Sequence, residues 1–229
     1  MNLDFSLFFE KYKSLVTQVD LIFNKVFQSN PDCVKCKIGC SDCCYALFDL
    51  TLIEALYINH HFNELFKDKK RSEILDKADA VDREVHIIKR KAYKESQKGK
   101  DDLDIFMNIG KKKIKCPLLN DDDKCEMYEF RPITCRLYGI PSSFAEKSYT
   151  CGKSGFVQGE NYPTVKMDKI YENLYNISFE LVSSLETKYP KMADMMVPLS
   201  MAITTVYDDV YLGIKTSESK DNNNKAENK

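Results

Sequence analysis

Five cysteines fall in one short run, Cys33-x2-Cys36-x3-Cys40-x2-Cys43-Cys44. A segment so dense in thiols, with Gly39 in its middle, has neither the period of a half-buried strand nor that of an amphipathic helix. It reads as a loop, and a loop of this kind takes its order from what its thiols hold, since binding energy becomes folding energy there. Short spacings let one turn aim two sulfurs at one metal. Adjacent Cys43 and Cys44 are different, because neighbouring side chains diverge. That pair points to two metals, to a polynuclear centre, or to one ligand beside a free thiol.

Four more cysteines follow, Cys116, Cys125, Cys135 and Cys151, giving nine in 229 residues. An odd number does not close a disulfide framework, and a chain of this length does not need disulfide staples. Clustered thiols in a reducing compartment indicate metal or redox chemistry. With Cys33 set aside, the candidate ligands are Cys36, Cys40, Cys43, Cys44, Cys116, Cys125, Cys135 and Cys151. Eight thiols match two four-thiolate sites and exceed what one four-cysteine cluster needs. Thiolates suit zinc, copper(I) and iron–sulfur centres. No histidine is near them in the sequence, so all-sulfur ligation is the simpler reading.

The remainder predicts a mainly α fold: a helical domain with an irregular cysteine-rich metal-binding region and a small β-hairpin. Phe5, Phe8, Phe9, Tyr12, Leu15, Val16, Val19, Ile22, Phe23 and Val26 recur at helical steps over 3–29, before a stop at Ser29-Asn30-Pro31. Thr51 with Glu54 fits a capping box opening a second helix. A charged helix over 70–97 carries one stripe of Ile74, Ala78, Val81, Val85 and Ile88. A short helix is expected over 101–108, ending at Gly110. Extended pieces around the acidic turn Asn120–Lys124 suggest a hairpin over 114–128, with Pro117 on an edge. Arg131–Arg136 opens a helical turn, and 139–163 reads as loop. Two further helices are expected, over 164–188 and 190–214. One helical domain, 1–216, with a cysteine core at about 33–151, would precede a disordered tail at 217–229.

A net charge of −1 gives no global reason to expect nucleic acid or an anionic surface. The basic runs at 89–94 and 111–115 are a weak nucleic-acid signal. The N-terminus lacks the basic start of a signal peptide, and no apolar run reaches the length of a membrane span, so a soluble cytoplasmic protein is expected. Arg131 and Arg136 flank Cys135. Each is a candidate to offset the negative charge of an all-sulfur site, or else a simple ion-pair residue. Tyr128 is a candidate donor to sulfur or a packing residue. His60, His61 and His86 sit on expected helices with surface or packing roles. Gly152-Lys153-Ser154-Gly155 lacks the full spacing of a phosphate loop.

Several stretches together resemble a known family. Cys36-x3-Cys40-x2-Cys43-Cys44, Cys116-Pro117-Leu118-Leu119, Cys125-x2-Tyr128-x2-Arg131-Pro132-x2-Cys135-Arg136 and Leu50-Thr51-x2-Glu54 are similar to the motifs of the YkgJ-like, or CxxCxxCC, cysteine-cluster proteins. The similarity covers about 33–151. It departs from the family in the three-residue first spacing and in lacking a cysteine soon after Arg136, a place Cys151 would fill. Cys33 lies outside the motif and reads as a spare thiol. The resemblance implies chelation of zinc or iron, with an iron–sulfur cluster as one form, and leaves enzymatic activity open. Flagellin lysine methylases share a related cysteine pattern, which implies an alternative: an iron–sulfur-dependent protein-modifying or redox enzyme. The partner implied is a metal ion; a protein partner would follow from a delivery role.

Overall fold

The computed structural model describes residues 3–37 and 39–215, so the tail expected from 217 lies outside the described residues. Seven helices are described: α1 (Ser6–Ser29), α2 (Leu52–Leu65), α3 (Asp68–Ser96), α4 (Asp102–Gly110), α5 (Ile133–Leu137), α6 (Met167–Ser184) and α7 (Leu199–Thr204). Five short strands accompany them: β1 (Asp49–Thr51), β2 (Ser142–Phe144), β3 (Lys147–Tyr149), β4 (Val165–Lys166) and β5 (Met196–Pro198). The fold is mainly α with small sheets, as the periodicities predict. Among the described residues no helix is long and apolar enough to cross a membrane.

The aromatic stripe of α1 faces the core through Phe8, Phe9, Tyr12, Leu15, Val19 and Val26. The helix stops at Asn30, whose N–H and side-chain amide both donate to the Val26 carbonyl, just before Pro31. Helix α2 is the central element, with every residue from Leu52 to Asn59 buried. Its first turn is stapled to α6: Ser178 Oγ donates to the Leu174 carbonyl and accepts from Ile53 N at 3.2 Å. Helix α3 buries a single stripe, Ile74, Ala78 and Val85, which suits its charged exterior. Asp101 caps α4 by accepting from Asp104 N.

The apolar residues form two clusters. One joins α1, α5 and α6 to one face of α2; the other joins the opposite face of α2 to α3, α7, Leu118 and Met127. Phe130, Met195 and Tyr207 pack against both. Each fully buried apolar side chain contributes roughly 1.5–3 kcal/mol, so this framework is held by ordinary burial. The cysteine loop is not. From Pro31 to Asp49 only Val34 and Cys44 are buried among the described residues.

Two elements differ from expectation. The helix expected over 190–214 is broken into a 3-10 turn (Pro190–Asp194), β5 and the short α7. Pro198 lacks the N–H that a continuous helix needs, and Met196–Pro198 instead pair antiparallel with β1. Val206 and Val210, within the stretch expected to be helical, are 72% and 82% exposed. Asn59 closes the end of α7 by donating to the Ala202 and Thr205 carbonyls, both at 2.9 Å.

The turn expected within 114–128 is present but is not flanked by regular strands. Its arms meet at an isolated Leu119–Cys125 bridge, and the Asn120 side chain caps it by accepting from Asp122 N and Lys124 N. The hairpin with strands is β2–β3, inside the stretch expected to be loop. Ala145 and Glu146 turn it with positive φ, so no glycine marks it in the sequence.

Candidate metal centre

The early and late cysteines meet through backbone pairing. Cys116 N donates to the Cys44 carbonyl at 2.7 Å and Ile114 N to the Tyr45 carbonyl at 3.1 Å, beside an antiparallel Ala46–Lys113 bridge. The capped turn then carries the chain back to Cys125. Helix α5 supplies Cys135, with Pro132 at its N-cap rather than at its first turn position. Its first N–H, Ile133 N, donates to Glu54 Oε1 at 3.1 Å, while Glu54 Oε2 accepts from Thr51 N and Thr51 Oγ1. One buried carboxylate therefore serves the starts of both α2 and α5 and fixes where Cys135 stands.

Cys43 and Cys44 lie in a 3-10 turn, Asp42–Tyr45, where successive side chains point about 120° apart. Cys44 is buried and feels Cys116 and Cys125, whereas Cys43 is directed at Cys135. The two neighbouring sulfurs still interact. The Cys135 and Cys44 thiols, with Arg131 adding its charge, hold Cys43 well below the usual thiol range. Cys135 and Cys44 are raised in turn, first by the Cys43 sulfur and then by burial. Burial raises Cys116 to about 12 and also raises Cys125, and both feel Cys43. Cys43, Cys44, Cys116, Cys125 and Cys135 thus form one group.

The second group is Cys36, Cys40 and Cys151, with Asp42. Partial burial of the Cys36 sulfur, then the nearness of Cys40, Cys151 and Cys43, raises it to about 11. Cys151 Sγ lies 3.6 Å from Asp42 Oδ2, and Lys113 and Lys153 reach the other Asp42 oxygen at 3.7 and 3.8 Å. The loop bearing Cys151 is tied to the early run by Gly155 N donating to the Cys33 carbonyl at 2.7 Å. The Gly152–Gly155 stretch is therefore a turn pinned against the cysteine loop. Cys43 adjoins both groups, and Cys40 also lines a hollow beside the first. Cys33 packs at the edge of the larger apolar cluster.

Of the two arginines, Arg131 faces the thiols. It lines a hollow of about 320 Å³ together with Cys40, Cys43, Cys44, Cys125 and Cys135. Its guanidinium lies 3.9 Å from the centre of the half-exposed Tyr128 ring, so Tyr128 is a platform for the cation. The buried Arg131 Nε has no hydrogen-bond partner among the described residues. Arg136 turns away, bonding Asp20 and the Arg131 and Glu129 carbonyls. A cavity of about 60 Å³ is lined by Cys43, Cys44, Cys116, Cys125 and Cys135 together with apolar residues such as Ile58 and Val85.

These features fit a thiophilic metal. The donors are soft sulfurs, a cation stands beside them with an orphaned N–H, and space is kept for Cys36 by a missing side chain. A Cβ at Gly139 would lie 2.0 Å from Cys36 Sγ. Gly139→Ala is therefore expected to displace Cys36 and weaken metal retention about tenfold, the scale on which supporting residues act. Chelator competition would measure this, with helicity unchanged. Retention equal to the native chain would remove Cys36 from the centre. Sequence reading missed Gly139, Asp42 and the double use of Glu54. Asp42, lodged between Cys40 and Cys43, was the one with a visible signal. The thiols stay loosely arranged: among the described residues, the three candidate ligands with atoms all within 4.8 Å of one another are His60, His61 and Glu64 on α2.

A family model, CxxCxxCC, described as a "Putative zinc- or iron-chelating domain", matches residues 32–152, more than half of the chain. No curated protein and no solved structure matches.

Proposed function

The chain belongs to the CxxCxxCC family, and from that premise we propose that it chelates zinc or iron through the thiolates of Cys36, Cys40, Cys43, Cys44, Cys116, Cys125, Cys135 and Cys151. The observation that carries the reading is the convergence of late thiols on Cys43, from the 114–116 segment, the 118–126 turn and α5. Cys43, Cys44, Cys116, Cys125 and Cys135 would hold one centre. Cys36, Cys40 and Cys151, with Asp42, would hold or complete a second. Arg131 offsets the charge of the first group, and Lys113 and Lys153 that of the second. A bound ion would join the loop to α5 and supply order that apolar burial does not. Nine free thiols suit a reducing compartment, so we place the protein in the cytoplasm.

A second reading, an iron–sulfur-dependent protein-modifying or redox enzyme, is supported by a specific feature. A hollow of about 380 Å³ lined by Phe48, Met107, Phe144, Tyr149 and Tyr171 reaches Cys151. An apolar pocket ending at a candidate metal ligand is where a substrate would meet the centre.

Anaerobic purification, metal analysis and visible absorption test both readings. A colourless protein with about two zinc ions supports paired thiolate sites. A brown protein with iron and acid-labile sulfide supports the cluster and the second reading. A folded protein that takes up neither metal, with unchanged stability on adding them, overturns both.

A further inference from the structure

Outside the thiol region, one side-chain cluster brings three candidate ligand atoms within 4.8 Å of one another. His60 and His61 lie near the end of α2, one turn before Glu64. His60 Nε2 is 3.4 Å from Glu64 Oε1, and His61 Nδ1 is 2.9 Å from Glu64 Oε2. Zinc binds nitrogen and oxygen at about 2.0–2.2 Å. For bonds of that length, neighbouring ligand atoms stand roughly 2.9–3.5 Å apart in octahedral and tetrahedral arrangements. Both observed separations fall in that range.

The rings are held in place by aromatic neighbours. His61 stacks on Phe130 at 3.9 Å between centroids, with 24° between planes, and meets Tyr57 edge-on at 4.5 Å. His60 lies 5.2 Å from the Phe9 ring. Bracing of this kind reduces the ordering cost of binding. His60 and Glu64 border a hollow of about 670 Å³ that Asn59, Lys67, Asp208 and Asp209 also line. Asp208, whose carboxylate accepts from Tyr211 N, and Asp209 thus belong to the same border. Lys67 is engaged with the Asn63 carbonyl.

We infer that His60, His61 and Glu64 form an additional, exchangeable site for a borderline divalent ion of the zinc type, separate from the thiols. Two imidazoles and one carboxylate make a three-ligand set that leaves water in the remaining positions. Nitrogen donors favour zinc over magnesium or calcium, which prefer all-oxygen sites. Its exposure makes it exchange faster than the thiol sites. Phe130, stacked on His61, also lines the small cavity that the thiols line, so a single ring lies between the two regions.

The test is a zinc titration of the full chain after its thiol sites are saturated. Calorimetry and the histidine ring signals in NMR provide the readouts. One additional zinc per chain is expected, shifting His60 and His61 and leaving His86, which is exposed on α3, unmoved. His60→Ala and Glu64→Gln, both at exposed positions, should each weaken this phase at least about tenfold. Thiol-bound metal and melting temperature should not change. Excess magnesium should not compete. The proposal is overturned if no additional zinc binds, if both variants bind as the native chain does, or if magnesium displaces zinc at equal concentration. Failure of the thiols to bind metal would leave the histidine readout intact, so the two outcomes are separable.

Discussion

Cys43→Ser is expected to release metal from both thiol groups, lowering affinity by at least about ten- to a hundredfold. Cys43 is the thiol that Cys44, Cys116, Cys125 and Cys135 all feel, and it also acts on Cys36. It is already the most acidified of these sulfurs, for the physical reasons given by Cys135, Cys44 and Arg131. A serine hydroxyl is a far poorer ligand for a thiophilic ion and does not ionise at neutral pH. Because the loop from Pro31 to Asp49 buries so little, losing the metal should also open it to proteolysis while helicity persists. Cys33→Ser is the matched control and should leave metal content unchanged. Metal analysis with limited proteolysis checks both. Equal metal retention in the two variants would show that Cys43 is not shared.

The second large effect is expected at Glu54. Its carboxylate accepts from Thr51 N at 3.3 Å, Thr51 Oγ1 at 3.1 Å and Ile133 N at 3.1 Å, and it is 2% exposed. The positive ends of two helices therefore depend on one side chain. Glu54→Ala would leave buried donors without an acceptor, at a cost of about 3 kcal/mol, or roughly 10 °C in melting temperature. It should also loosen α5 and with it Cys135. The pH dependence has a definite sign. Burial raises the Glu54 pKa, against the opposing hydrogen bonds from Ile133 and Thr51. A carboxyl group whose folded pKa is raised contributes most below its unfolded pKa, and the contribution declines as pH rises through the folded value. The stability gap between native chain and variant should therefore be widest in mild acid and narrow towards neutrality. A gap that widens with rising pH would contradict this assignment.

Glu54 also marks where sequence reading reaches its limit. Its local role is legible, since Thr51 and Glu54 stand at capping-box spacing. Its second role is not, because Ile133 lies 79 residues away and nothing in either segment names the other. The same division runs through the fold. The stripes of α1 and α3 depend on neighbours three and four residues apart, and most of each is buried, although Ile22 is exposed and Val81 and Ile88 are half-buried. The segment after Pro190 carries an equally apolar pattern, but Pro198 and pairing with β1 override it. The cysteines stand out as a set by type and spacing, and the fold brings early and late ones near one another. Their division was not legible, because backbone pairing with Cys116 and the approach of α5 decide which sulfur meets which. Arg131 and Arg136 are equivalent on paper, and their roles are separated by tertiary partners: Asp20 and two backbone carbonyls for Arg136, the Tyr128 ring for Arg131.

The interleaving of the thiols has a consequence for how the protein is made. Helices α2, α3 and α4 stand between Cys44 and Cys116 in the chain. A ribosome therefore extrudes the first five cysteines long before their partners. During that interval the nascent segment offers an incomplete, open set of sulfurs to whatever thiophilic ion is at hand. The full proposed ligand set exists only when Cys116, Cys125, Cys135 and Cys151 have followed and Arg131 is in place. With the ligand set proposed above, the ion of the mature protein would be selected at the end of synthesis, by exchange, rather than by first capture.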